Sequence, residues 1–429
     1  MTLSYDFIVI GATSFVGRIL CRALLDCDDQ IPGFKWAIAG RSQDKLNQLR
    51  LHLGDRFSQV TRFVVDVTDE AALRLLCGQT AVILSTVGPY ALYGETLLKV
   101  CAETGTDYCD LTGEVQWIRR MLATYEPVAQ RSGAKIVHCC GFDSVPFDLG
   151  VHYLQQQSQQ RLGQYCQRVK MRVKSAQGSV SGGTLASILN LGKEINANPS
   201  LQQEMSNPYS LCPDFQGADH QPDFHEADRP RISLQVPVQY DRAFESWIGP
   251  FIMAEVNTRI VLRSHALLNH PYGAAFHYDE AVLTGGGWGG WLKAQGLKLG
   301  LETFILAAAV APSSWFLSHI LGPKPGEGPS DTVQAEGFYD LRFWGQTATG
   351  ETLQVKVRGD RDPGYGSTAK IFAQVGLLLA QDAQDRRKTN SPTTGGFWTP
   401  ATLWGDRLID RLGRFAGLSF EVDDEMKVS

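Results

Sequence analysis

Seven residues near the start of the chain, Gly11-Ala12-Thr13-Ser14-Phe15-Val16-Gly17, follow an apolar run and open a helical pattern. In that setting a glycine-rich turn presents backbone N–H groups to a phosphate. Gly11 permits the tight turn and Gly17 permits close packing of helix on strand, while Ser14 stands where many such loops carry a middle glycine and can itself donate to a phosphate oxygen. The second apolar run ends Ala39-Gly40-Arg41-Ser42. An acid there would accept from a ribose 2′-hydroxyl; the planar guanidinium of Arg41, helped by Ser42 and Lys45, matches a 2′-phosphate instead. The two features together predict a dinucleotide site that prefers NADP to NAD. Asp66, ending the third run, either touches the adenine or caps a helix before Thr68.

Further along, Ser85 is followed by Thr86-Val87-Gly88-Pro89, a loop expected beside the nicotinamide, and then by Tyr90 and Tyr93. These phenols are candidates for stabilising or protonating an enolate, or else simply pack. Asp143 and Ser144, in Cys140-Gly141-Phe142-Asp143-Ser144-Val145-Pro146, are placed to orient substrate or cofactor amide, or to start a helix. Ser181-Gly182-Gly183-Thr184 allows close approach of an acyl carrier or is a turn before a helix over 185–191, and Asp360 to Tyr365 reads as a charged turn. Histidines lack metal-ligand spacing, so no metal is expected.

The elements that carry these loops alternate. Strands are predicted near Phe7 to Ile10, Trp36 to Ala39, Phe63 to Val65, Ala81 to Ser85, Tyr108 to Asp110 and Ile136 to Cys139, with helices over 15–27, 43–53, 70–76, 94–103 and 115–132. This is the pattern of a doubly wound parallel (Rossmann) sheet, whose loops share one edge. From about residue 150 strand-like segments (168–173, 254–262, 336–344) and helices (369–384, 403–415) indicate an α+β substrate domain, with an irregular excursion over 196–231. The expected organisation is a cofactor domain over 1–148 and a substrate domain over 149–429, whose last segment, from about 390, packs back on the first.

Across 429 residues the net charge is −5, which lacks the basic excess that nucleic acid requires. Nine scattered cysteines without a Cys-x-x-Cys pair, and a start without a secretory pattern, point to a cytoplasmic setting. Between Thr303 and Leu321 the one ionisable residue is His319. A buried helix, interrupted near Pro312, is the plainer reading; with Trp288, Trp291, Lys293 and Lys298 upstream, peripheral membrane contact through 288–321 is the other.

Taken together, Gly11 to Gly17, Ala39 to Ser42, Thr86 to Tyr90 with Tyr93-Gly94-Glu95, Tyr108 to Glu114, Cys140 to Pro146, Ser181 to Thr184 and Gly359 to Tyr365 resemble the saccharopine dehydrogenase-like oxidoreductases, in particular their trans-acting enoyl reductase branch. The resemblance implies NADP(H) binding and reduction of a carbon–carbon double bond in a lipid or polyketide intermediate, which in mycobacterial members serves glycolipid assembly. It also implies membrane or lipid-body association. The amino-acid-binding pattern of true saccharopine enzymes is absent, as is a Tyr-x-x-x-Lys pair, since Gly94 and Leu97 stand four after Tyr90 and Tyr93. Expected partners are therefore a small or carrier-bound acyl substrate and a second copy of the chain. The competing functions are a non-catalytic NADP-binding scaffold at a membrane and a reductase of a small-metabolite carbonyl or imine.

Overall fold

The computed structural model describes residues 3–27, 33–178, 182–213, 234–309, 328–389 and 394–423. Six strands, Tyr5–Ile10 (β1), Trp36–Gly40 (β2), Thr61–Val64 (β3), Thr80–Ser85 (β4), Asp107–Asp110 (β5) and Lys135–Val137 (β6), run parallel in the order β3-β2-β1-β4-β5-β6. β4 is buried along its whole length and apolar from Ala81 to Leu84, without alternation, because helices cover both faces of the sheet. The crossovers are Phe15–Leu25 (α1), Gln43–Leu53 (α2), Glu70–Cys77 (α3), Tyr90–Tyr93 (α4) with Glu95–Thr104 (α5), and Val115–Ser132 (α6). Ser14, Ser42 and Asp69 cap the first three helices through their side chains. Gly105 and Gly133 end α5 and α6 in the left-handed conformation.

Val145–Leu162 (α7) leads out of this sheet into Cys166–Gln177 (β7), Gly182–Ala197 (α8), Pro199–Ser206 (α9), Gln239–Asp241 (β8), Ser246–Gly249 (β9), Ala254–Leu267 (α10), His277–Gly285 (β10) and Gly287–Ala309 (α11). After them come Phe338–Thr347 (β11), Thr352–Gly359 (β12), Gly396–Trp398 (β13) and Leu418–Val422 (β14). The second sheet has the order β14-β12-β11-β7-β10-β9-β8 and is antiparallel except where β10 meets β7. β13 does not join it; it pairs parallel with β6 and makes the first sheet seven-stranded. The helix Thr368–Thr389 likewise lies on α1, β1, β4 and β5, and one apolar core runs from the first sheet through α7 into the second.

Two expectations are corrected. The segment 254–262, read as a strand from its Val, Thr and Ile, is the first part of α10. Residues 256–265 of that helix are all buried, so no polar face marks the 3.6-residue period. The described part of the apolar stretch beginning at Thr303 is not a buried helix: Ile305 and Leu306 of α11 are exposed. Residues 310–321, and the half of the 196–231 excursion from 214 to 231, lie outside the described residues. Among the described residues no helix is long and apolar enough to cross a membrane.

Candidate active site

The parallel strands bring the loops after β1, β2, β4, β5 and β6 to one edge of the first sheet. Backbone bonds zip them together: Thr86 N donates to Ile10 O at 2.9 Å and Cys140 N to Asp110 O at 2.8 Å. Gly11 has φ +85°, and a Cβ there would lie 2.7 Å from Thr86 Oγ1; a Cβ on Gly17 would lie 2.3 Å from Gly11 O. Both glycines are demanded by close backbone approach. Ser14 Oγ accepts from Gly17 N at 2.9 Å and sits 3.2 Å from Thr86 Oγ1, which donates to Gly11 O at 2.9 Å. The serine at the middle position thus ties the turn to the β4 loop. Thr13, Phe15 and Val16 are half-buried around it, and Phe15 meets the ring of Tyr365 edge-on at 4.7 Å. That contact places the Asp360–Tyr365 turn over the start of α1, with Asp362 Oδ2 accepting from Tyr365 N at 2.8 Å.

At the end of β2, Arg41 is exposed and makes no hydrogen bond or salt bridge among the described residues. Ser42 Oγ accepts from Lys45 N at 3.4 Å, so this hydroxyl serves α2. Asp66 Oδ1 accepts from Thr68 N and Thr68 Oγ1 at 2.9 and 2.8 Å, which with the nearby charge of Arg41 holds its carboxyl below the usual range. The cap of α3 itself is Asp69. An exposed, unpaired guanidinium beside a fixed turn, and a glycine-lined helix N-terminus a strand away, are what a dinucleotide carrying a 2′-phosphate requires.

In the β4 loop the Gly88–Pro89 peptide is cis, with Gly88 exposed and Val87 and Pro89 half-buried. Tyr90 is buried; its hydroxyl donates to Ser85 O at 3.0 Å and accepts from Leu111 N at 3.2 Å. Burial pushes this phenol well above its ordinary pKa, and the group acts here as a strut between the β4 and β5 loops. Tyr93, one turn on, is 45% exposed. Sequence reasoning missed Glu114, whose buried carboxylate accepts from Tyr90 N at 2.7 Å, Ala91 N at 3.0 Å and Ser187 Oγ of α8 at 2.8 Å. It also missed Asp110, which accepts from Thr112 N at 3.1 Å and lies 2.8 Å from His138 Nδ1. The acidic loop was visible, but its partners come from three distant segments.

Asp143, in the β6 loop, is half-buried and makes no hydrogen bond among the described residues. Burial alone pushes its carboxyl up to about 6, which puts a proton donor within reach of neutral pH. Its neighbour Ser144 precedes α7 without capping it and donates instead to Asn257 Oδ1 at 3.1 Å.

Comparison with known proteins agrees with this geometry. The saccharopine dehydrogenase NADP-binding domain model matches residues 7–137. A trans-acting enoyl reductase of Mycobacterium leprae is 33% identical over 417 residues, covering 95% of each chain. The chain belongs to the saccharopine dehydrogenase-like oxidoreductases. A Mycobacterium tuberculosis protein provisionally named a trans-acting enoyl reductase is 34% identical over 425 residues and 97% of each chain. The fold is that of the saccharopine dehydrogenase (L-Glu forming) of Saccharomyces cerevisiae, with TM-score 0.51 at 14% identity over 97% of this chain and 99% of that one. As a member of this family the chain is an NADP-binding oxidoreductase, and the Gly11–Gly17 turn and Arg41 fit that cofactor.

Proposed function

We propose that the chain reduces the carbon–carbon double bond of an enoyl thioester on a lipid or polyketide-type acyl chain. The observation that carries the reading is Asp143, a half-buried carboxyl pushed up to about 6 and without a hydrogen-bond partner among the described residues, on the edge that bears the phosphate turn. Relatives named trans-acting enoyl reductase support it. NADPH bound along this edge supplies a hydride for the β-carbon. As the β-carbon gains that hydride, the π pair of the carbon–carbon double bond becomes the bond between the α-carbon and the carbonyl carbon, and the carbonyl π pair moves onto the oxygen; protonated Asp143 then gives its proton to the α-carbon, the carbonyl re-forms, and Asp143 is reprotonated from solvent. The α1 N-terminus and Ser14 hold the pyrophosphate, and Arg41 the 2′-phosphate. Tyr90 already gives its hydroxyl proton to Ser85 O, so Tyr93 is the phenol free to donate to the enolate oxygen.

The proposed setting is the surface of a membrane. Trp288, Leu292, Leu299 and Leu306 of α11 are exposed. Leu297, about 200° round the helix from Leu299, lies with buried Ala294 against Gly249 of β9. An apolar outer face on a helix whose inner side packs on the protein suits the surface of a lipid layer.

The test is a fluorescence titration with NADPH and NADH, followed by NADPH absorbance on adding a panel of enoyl thioesters. Arg41→Ala should weaken NADPH binding about ten- to a hundredfold and NADH binding little, as expected for loss of a charge-assisted contact. Binding without oxidation would indicate a scaffold, and oxidation with small carbonyl or imine substrates alone would replace the enoyl reading.

A further inference from the structure

A chain of buried polar groups crosses from the second sheet to the loop that carries Asp143. A serine before a helix ordinarily turns its hydroxyl back onto the N–H two or three residues ahead. Ser144 does not; its hydroxyl bonds Asn257 Oδ1 at 3.1 Å. Asn257, fully buried on α10, donates from Nδ2 to Glu280 Oε2 at 3.0 Å, and Tyr278 donates to Glu280 Oε1 at 2.6 Å. Ser144, Asn257, Tyr278 and Glu280 are all buried. The chain also has a polarity. Asn257 turns its amide nitrogen to Glu280 and its oxygen to Ser144, which donates.

We propose that Asn257 and Glu280 are positioning residues, which hold Ser144 and through its backbone keep the adjoining Asp143 carboxyl at the reacting edge. The proposal rests on the role given to Asp143 above. Its support is the unbroken run of buried bonds from Tyr278 and Glu280 through Asn257 to Ser144. A buried glutamate contributes little to stability compared with an apolar side chain of similar size, whereas a satisfied polar chain specifies where its far end sits. That far end is the residue next to Asp143. Burial, opposed by the bonds from Tyr278 and Asn257, pushes Glu280 up to about 8, with Asp279 raising it further and Arg172 lowering it. It is therefore mainly neutral at pH 7, and Glu280→Gln preserves both size and charge.

The experiment follows the carboxyl carbon of Asp143 by NMR in the full chain labelled at aspartate, its signal assigned with Asp143→Asn. The wild type should titrate near 6, and both Asn257→Ala and Ser144→Ala should bring the midpoint down towards the ordinary 3.8 by admitting water to the loop. Glu280→Gln should leave it in place. In turnover, each alanine variant should lower kcat about ten- to a hundredfold at unchanged NADPH affinity, and the double variant should be no worse than either single one. An unchanged Asp143 midpoint in Ser144→Ala, which removes a single hydroxyl and preserves the fold, would overturn the proposal, as would additive losses in the double variant. Failure of every enoyl thioester to oxidise NADPH would sink the proposed reaction alone, because the NMR midpoint reports the positioning without turnover.

Discussion

Ser14 shows how one side chain can replace a glycine in a phosphate turn: its hydroxyl bonds Gly17 N and approaches Thr86 Oγ1, fixing the loop that a bare backbone would leave slack. Gly17 has no such latitude. Gly17→Val should abolish NADPH binding in a fluorescence titration, because its Cβ would meet Gly11 O at 2.3 Å and both atoms belong to packed backbone. Retained binding would mean that the turn does not hold the pyrophosphate. The buried carboxyls set a pH dependence whose sign is fixed by their direction of shift. Asp143 is raised from 3.8 to about 6 and Glu280 from 4.5 to about 8, so the fold favours their neutral forms. The stability this contributes is complete below the unfolded values and is lost as pH rises through about 6 and about 8. Calorimetry should find Tm falling between about pH 4 and 8, with Glu280→Gln flattening the part above about 6; a Tm that climbs over that range would contradict these assignments. The position of Arg41 was legible in the sequence because it depends only on the strand that ends beside it. Glu114 was not, because two N–H groups 23 and 24 residues away and a hydroxyl 73 residues away define what it does.

Among the elements, the strands and crossovers of the first sheet were readable since each is a short apolar run between turn signals. α10 was not. Its buried Arg259 and Arg263 bond backbone carbonyls and acids from other segments, including Met205 O, Leu211 O, Phe397 O and Glu126. A charged residue every fourth position on a fully buried helix reads as irregular polarity, although Glu255 four before Arg259 was a usable helical signal. α11 poses the opposite case, an apolar helix that packs one side on β9 and β10 and leaves the other exposed. At 78% exposure for Trp288 and 67% for Leu306, its side chains present a surface that water disfavours. The wild type should co-sediment with phospholipid vesicles, and the combined change Trp288→Ala, Leu299→Ser should reduce partitioning by about tenfold or more at unchanged NADPH affinity, given the apolar area removed. Wild-type protein that stays in the supernatant would remove the membrane from the proposed function.

For the whole molecule, the chain is interlaced across its two sheets. β13, near the C-terminus, completes the first sheet beside β6; Arg263 of α10 donates to Phe397 O of that strand, and Asp148 of α7 accepts from Ser264 Oγ and Ala401 N. The two sheets should therefore unfold in one calorimetric transition. Phe397→Ala, at a buried ring packed 5.5 Å from His138, should cost about 3–5 kcal/mol and move that whole transition without splitting it. Two separated transitions in the wild type would show that the shared core does not couple the sheets. The strand-helix alternation, the glycine turn after β1 and the place of Arg41 at a strand end are written in consecutive residues, because turn geometry, capping and apolar period act over a few positions. Which hydroxyls and carboxyls remain free for chemistry is not. Tyr90 is committed to Ser85 O, Glu114 to Ser187 and Ser144 to Asn257, while Asp143 is left without a hydrogen-bond partner among the described residues. Desolvation and hydrogen bonding act through space, so only the folded chain decides them.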